Sequence, residues 1–559
     1  MFIVLLYRMH ADTITICPLC NDAVDKLLYR YHIDGEKQVI EKIKQQNPGW
    51  SVQDGICSRC VDYYHTEVVI QQRILPEVGP YFPVKSADEF IILPTGLRLD
   101  ADQRFTGKGI TICFIDSGFY IHPDLVKHRN RIKLIYDITD PAKKAEYFTR
   151  PHPESWHGMM TSVVCAGDGY LSKGLYKGIA SDAELVLLKV QNQEGKITAK
   201  NIASALKWVQ NHHKEFDIRI VNISLGTDET VSYRKSEIDI LAEQLISEGV
   251  IIVAAAGNEE TGVIKPPANS PNVITVGGSN DNNKLNQLVN ELYHSSFGKT
   301  MDGLMKPELI AQAIWVAAPL LPGSKEQLES ELLYGLLKLS GEELIQSFSA
   351  LQGKNSLGIT LPEVNDSSRL KEAIVKRIQE CKFISPHYMH VDGTSFAAPV
   401  VTAVIAQLLE AAPQLTPAAA REILFSTAKR IPGWPAERQG FGLIAPRKAL
   451  FKTLKKSFIM KPEISPAFNE QQQIISFYLQ HECASQVSLA GNFNHWAQDI
   501  LLMEPGENGV WKIDIPMLPK GRYQYKFFVD EKVWIEDVNN PYREPDGFSG
   551  FNSILIIEN

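Results

Sequence analysis

Four short blocks of this chain hold side chains suited to acyl-transfer chemistry. Ser395 stands in Asp392-Gly393-Thr394-Ser395-Phe396-Ala397-Ala398-Pro399, ahead of an apolar run that ends near Leu409. A glycine-led turn, with proline in the first helical turn, delivers this serine to the positive end of a helix dipole, which favours negative charge beside it. The same Gly-Thr-Ser also suits the cap of a core helix, and the motif alone does not choose. A serine hydroxyl attacks poorly at neutral pH unless a base takes its proton, and His157, in His157-Gly158, has the pKa for that task. Asp116, in Asp116-Ser117-Gly118, would hold the imidazole in the useful tautomer and stabilise the imidazolium. The amide of Asn258, in Ala254-Ala255-Ala256-Gly257-Asn258, would join the backbone N–H of Ser395 in donating to an oxyanion. Each block alone is an ordinary turn or cap. Together, Asp116, His157, Ser395 and Asn258 are the expected catalytic set, working through an acyl-enzyme.

These groups need a rigid frame. Residues 109–115 form a continuous apolar run of the kind buried in a parallel sheet, and Asp116 follows at its carboxyl end, where open α/β sheets place ligands. Further buried strands are predicted at 185–190, 218–225 and 250–256, a helix at 197–212, and another helix opening on His157. Alternation of strand and helix predicts an α/β fold, a doubly wound, largely parallel sheet with right-handed crossovers.

With 559 residues, 44% hydrophobic, 22% charged and a net charge of -8, the chain has globular composition and room for several domains. No basic block points to nucleic acid. The apolar run at 2–7 lacks a basic flank and is short, so no signal peptide, no membrane span and a cytoplasmic setting are expected. Cys17, Cys20, Cys57 and Cys60 form two CxxC pairs, the spacing by which two knuckles close one tetrahedral zinc site. Redox motifs or disulfides are the rival readings, and no thioredoxin-like pattern or secretion signal supports them. Between the pairs, apolar residues from Val24 to Ile43 on helical spacing predict two short helices. Cys113, Cys165, Cys381 and Cys483 read as buried thiols.

The four chemical blocks, in the order Asp, His, Asn, Ser, resemble the signature blocks of the subtilisin-like serine proteases, peptidase family S8, over residues 95–455. The resemblance implies a subtilisin-like sheet, polypeptide substrates, and substrate contacts from Ser224, Leu225, Gly226, Ala255 and Gly257. Two departures stand out. Thr227 replaces a common second glycine, and the loop at 167–178 carries Ser172, Lys173 and Lys177 where the family's calcium loop needs oxygen ligands, so calcium is not expected there. Glu259 and Glu260 suggest a preference for a basic side chain in the specificity pocket. An insertion at about 320–388 carries two leucine- and isoleucine-rich helical stripes, which read as packing or as a lid beside the serine.

After a linker at 456–467, short β-rich runs from 468 to 559 predict an all-β, immunoglobulin-like sandwich. Gly491-Asn492-Phe493-Asn494-His495-Trp496 and residues 523–530 resemble the glycogen-binding domain of the AMP-activated kinase β-subunit and family 48 carbohydrate-binding modules. That resemblance implies an α-glucan site of Trp496, Lys526, Trp534 and Asn552, with Phe548 as a further apolar contact. The expected organisation is a zinc-binding module at 1–65, a linker or pro-segment at 66–94, the protease domain, the linker and the sandwich. Two functions fit: a serine endopeptidase targeted to or regulated by glucan, or a glucan- and partner-binding scaffold with a latent subtilase body.

Overall fold

Seven parallel strands carry the functional residues: β1 (Thr111–Asp116), β2 (Ile132–Asp137), β3 (Glu184–Lys189), β4 (Ile218–Ile223), β5 (Ile251–Ala255), β6 (Ile274–Asn280) and β7 (Leu309–Gln312). Their spatial order is β2-β3-β1-β4-β5-β6-β7, and the short strand Glu291–Leu292 adds antiparallel to β6. The computed structural model describes residues 15–19, 23–24, 37–51, 54–57, 59–61, 63, 64 and 68 of the N-terminal segment. From 92 to 557 it describes all but 228, 261, 262, 286–289, 352–356, 358, 360–365, 461–464, 470–472, 482, 483, 507, 508, 538, 539, 541, 542 and 547–550. The chain divides into two units, Ile70–Ile459 and Met1–Val69 with Met460–Asn559.

The helices that frame the site and the insertion are α1 (Ser155–Ala166), α2 (Ala199–Phe216), α3 (Glu237–Ser247), α4 (Lys325–Leu337), α5 (Gly341–Leu351), α6 (Ser367–Glu380) and α7 (Thr394–Ala411). The two-residue period of β1 explains why both sheet faces are covered. Ile112 and Phe114 join a core built with α1 and α7, whereas Cys113 and Ile115 join a second core built with α2 and α3. Helix α7 buries Val400, Val401, Val404, Ile405, Leu408 and Leu409. Burying each such side chain contributes about 1.5–3 kcal/mol, so the serine's helix is among the best-anchored parts of the fold. This helix is long and apolar enough to cross a membrane by length and composition, against the expectation of no such span, but 83% of that window is buried inside the fold. It is a core helix.

The predicted strands lie within about two residues of those observed, an ordinary scatter for element ends, whereas the helix predicted at 197–212 starts at Ala199 and runs on to Phe216. The insertion is a separate helical layer: α4, α5 and α6 enclose their own core of Leu333, Leu336, Leu337, Leu344, Phe348, Leu370, Ile374 and Ile378. Leu328, expected on the α4 stripe, is instead exposed. The insertion is rooted in a three-stranded antiparallel sheet, β8 (Val316–Pro319), β9 (Phe383–Ser385) and β10 (Tyr388–Val391), ordered β8-β10-β9. Strand β10 runs directly into the serine turn, where Gly393 N–H donates to the Ala313 carbonyl (2.7 Å).

In the other unit, the C-terminal segment forms two antiparallel sheets of four and five strands. Ile475, Phe477 and Leu479 from the first meet Leu489, Tyr525, Phe527, Val529, Leu555 and Ile557 from the second. That is the predicted sandwich. Near the N-terminus, Ala23–Val24 pairs as a strand with Thr15–Ile16, correcting the helix expected there, while Lys37–Gln46 is a helix. Leu27, Leu28 and Tyr31 lie outside the described residues.

Candidate active site

The spatial order of the strands reverses around β1, which is flanked by β3 and β4, so the crevice opens at the carboxyl ends of β1 and β4. Asp116, 1% exposed, ends β1, and Ser224 follows directly on β4. One carboxylate oxygen of Asp116 accepts from the Ser117 N–H (2.7 Å) and from His157 Nδ1 (2.6 Å). The other accepts from the Thr161 hydroxyl (3.0 Å), one helical turn beyond His157 on α1. Because the carboxylate accepts at Nδ1, that nitrogen carries the proton and Nε2 is left to act as base. Burial works to lower the His157 pKa, but the charge of Asp116 and its hydrogen bond outweigh it, and the net shift is upward from 6.5.

Gly158 is required here by space. A Cβ at this position would sit 2.2 Å from the Gly118 carbonyl oxygen and 2.9 Å from the Asp116 side chain, so any other residue would push α1 off β1 and part His157 from Asp116.

On the opposite side, Gly393 has φ +133, open to glycine and strained for other residues, and it turns the chain into α7. The Asn258 Oδ1 accepts from the Thr394 N–H (2.8 Å) and hydroxyl (3.0 Å). A backbone N–H can only donate, so this contact fixes the amide orientation and leaves both Asn258 Nδ2 protons for another acceptor. The Ser395 N–H has no acceptor among the described residues. The two expected oxyanion donors are therefore both unspent. Ser395 Oγ donates to the Ser224 carbonyl (3.2 Å), and His157 is not among its hydrogen-bond partners. The imidazole lies beside the neighbouring residue, its ring centroid 6.1 Å from that of Phe396.

A cavity of about 710 Å³ opens beside the histidine, lined in part by Asp116, Glu154, Trp156, His157, Ser224 and Leu225. Of the expected substrate contacts, Ser224 and Leu225 line it, and Gly226, Ala255 and Gly257 do not. Nor does any described residue of the insertion, so the lid expected there is not part of this cavity's wall. Trp156 and Glu154 were not anticipated from sequence, although both flank His157 closely. Glu260 is already paired with Arg438 (2.8 Å), which removes much of the free negative charge expected of it. At the 167–178 loop, Asp124 accepts from the Leu171 N–H (3.0 Å) and the Tyr388 hydroxyl, and burial pushes its pKa up to about 6.

The Sγ atoms of Cys17, Cys57 and Cys60 lie within 4.8 Å of one another, all buried. Cys20 lies outside the described residues. Cys17 and Cys60 sulfurs are 3.8 Å apart, far beyond a disulfide bond and equal to the edge of a tetrahedron with zinc–sulfur bonds of about 2.3 Å. The sulfurs thus fit a thiolate metal site.

On the sandwich, Tyr525, Phe527 and Val529 of the strand Gly521–Val529 face the core, so Gln524, Lys526 and Phe528 face the other way. Trp534 pairs across from Phe528 and meets Trp496 edge-on, with centroids 6.0 Å apart. Asn552 donates to Gln524 Oε1 (3.3 Å), and Lys526 is ion-paired with Asp546. Four of the five expected glucan residues thus belong to one sheet face and its edge, while Phe548 lies outside the described residues.

A model of the subtilase family matches residues 107–442, and a model of the glycogen recognition site of AMP-activated protein kinase matches residues 476–558. Serine protease AprX of Bacillus subtilis (strain 168) is 27% identical over 331 residues, 58% of this chain and 62% of that one. Subtilisin Savinase of Lederbergia lenta is 28% identical over 203 residues, 36% of this chain and 65% of that one. Among solved structures, fervidolysin from Fervidobacterium pennivorans matches with a TM-score of 0.44 at 16% identity, covering 78% of this chain and 55% of that one. The chain spans less than two thirds of the length of these curated relatives. With the family model covering more than half of its residues, from the turn before β1 to beyond α7, the chain belongs to the subtilase family.

Proposed function

We propose that this chain is a serine endopeptidase. The observation that carries the reading is the 2.6 Å contact between buried Asp116 and His157, set at the mouth of a sheet whose opposite wall presents a helix-borne serine. A peptide entering the crevice beside Ser224 and Leu225 meets Ser395, whose hydroxyl turns from the Ser224 carbonyl toward His157 Nε2. The imidazole takes the proton as Oγ attacks the carbonyl carbon, and Asp116 stabilises the imidazolium. Negative charge on the former carbonyl oxygen is met by Asn258 Nδ2 and the Ser395 N–H at the positive end of α7. His157 then gives the proton to the leaving amine, and water reverses the sequence to free the acyl group. Purified chain should hydrolyse casein at neutral and alkaline pH and stop on treatment with a fluorophosphonate; intact casein throughout would defeat the reading.

The sandwich we assign to α-glucan. Pyranose rings present apolar C–H faces that stack on Trp496 and Trp534, and Lys526 and Asn552 hydrogen-bond hydroxyl groups. The full chain should sediment with glycogen and the double variant Trp496→Ala, Trp534→Ala should stay in solution; equal pelleting of the two would exclude this site.

The N-terminal cysteines would hold zinc as a structural ion, with Cys20 completing the set begun by Cys17, Cys57 and Cys60. Bound zinc would cross-link a small core of Val39, Ile43, Trp50, Ile56, Val61 and Tyr64 that is slight without it. Metal analysis should give one zinc per chain, lost in the double variant Cys17→Ser, Cys57→Ser; a metal-free preparation of equal stability would refute it.

A further inference from the structure

A line of buried polar contacts ties the serine turn to the sheet. Thr402, two turns along α7 from Ser395, donates from Oγ1 to Asn222 Oδ1 (3.0 Å). Asn222 Nδ2 donates to Ser224 Oγ (2.9 Å), and Ser224 Oγ donates to the Ser395 carbonyl (2.9 Å). Thr402 and Asn222 are fully buried and Ser224 is 3% exposed. Asn222 sits on β4, between Phe114 of β1 and Val253 of β5, in the centre of the sheet. Burying polar groups in so apolar a seam is costly unless each finds its partner, and here each one does.

The reason for the line is written in α7 itself. In an α-helix the carbonyl of Ser395 would accept from the N–H four residues on, but that residue is Pro399, which has none. The carbonyl is orphaned within its own helix, and the Ser224 hydroxyl takes the place of the missing donor. Ser395 is thereby held to β4 at two atoms, its carbonyl by Ser224 Oγ and its hydroxyl by the Ser224 carbonyl.

We propose that Thr402, Asn222 and the side chain of Ser224 act as positioning residues, fixing the depth and rotation of Ser395 relative to His157 through the carbonyl that Pro399 leaves free. This rests on Ser395 being the nucleophile. The relay's two fully buried members act on the chemical step and leave substrate affinity alone, because Thr402 and Asn222, unlike Ser224, are not part of the cavity wall. Thr402→Val keeps the shape and removes the donor, leaving Asn222 Oδ1 short of a partner. It should lower kcat on a peptide substrate and the rate of fluorophosphonate labelling by about tenfold or more, with KM unchanged, because small displacements of a reacting group are costly. Thr402→Ser should restore both rates. Pro399→Ala guards against a mere folding defect: it returns an N–H to the helix, competes with Ser224 for the carbonyl, and should slow labelling without lowering the melting temperature. Labelling of Thr402→Val and Pro399→Ala at the parent rate would overturn the relay alone. A parent chain that is not labelled at all would remove the relay and the nucleophile together.

Discussion

Ser395→Ala should lower kcat on a peptide substrate by about 10⁶-fold, since removing the nucleophile of a triad costs nearly as much as removing all three members. The substitution deletes one hydroxyl whose hydrogen bond among the described residues is the 3.2 Å bond to the Ser224 carbonyl. A bond of that kind contributes about 0.5–1.5 kcal/mol to folding, so the melting temperature changes little while the chemistry is lost. Asn258 Nδ2 and the Ser395 N–H survive the change, and residual turnover of about 10³-fold over water remains from oxyanion stabilisation and binding. Initial rates at saturating peptide, on protein freed of contaminating protease, measure the effect. Activity within tenfold of the parent would mean that hydrolysis takes place elsewhere on the chain.

Asp116→Asn should lower kcat by about 10⁴-fold while the fold stays intact, because an amide in that position can hold the imidazole in the wrong tautomer. The pH dependence gives the second readout. Asp116 raises the His157 pKa above 6.5 against the opposing effect of burial, and the base must be neutral to work, so the acid limb of kcat/KM in the parent chain lies above pH 6.5. Without the carboxylate, burial alone acts and the limb moves to lower pH. The sign for stability is opposite to that for activity. A histidine whose pKa rises on folding contributes stability that is fully present below its unfolded pKa and is lost as pH rises through the folded one. The Asp116–His157 pair therefore stabilises the fold most where the imidazole is protonated and cannot serve as a base, and Asp116→Asn should lower the melting temperature more at pH 5 than at pH 8. An unchanged acid limb in the variant would show that another group sets it.

The parts of this fold that could be read from sequence are those whose signal is periodic or tied to a special backbone. The apolar run of β1 ends at Asp116, at the carboxyl end of a strand buried on both faces, where the carboxylate stays buried and is satisfied by Ser117, His157 and Thr161. Gly393 could be read as the lead of the turn into Ser395, whereas Gly158 beside His157 carried no reading of its own; the positive φ of the one and the close approach at the other emerge only with neighbours in place. Thr161, Thr394 and Thr402 were illegible, since a threonine on a helix announces nothing about the carboxylate, amide or asparagine that faces it from another strand. Thr161 alone left a trace, one helical turn after His157. The apolar length of α7 could not by itself separate a core helix from a membrane span; only the burial of its whole circumference does so. Leu328 left its stripe because helical spacing alone does not supply a neighbour: in the first turn of α4 it is exposed, while Leu333, Leu336 and Leu337 further along are buried.

Under the proposed function, Asp116, His157, Asn258 and Ser395, far apart in the chain, act together on one peptide carbonyl. The most direct test is mass spectrometry of the chain after reaction with a fluorophosphonate, mapping the adduct to a residue. A single phosphonyl group on Ser395, formed far more slowly in Asp116→Asn, is the predicted result; an unmodified Ser395, or an adduct on another serine, would contradict the account.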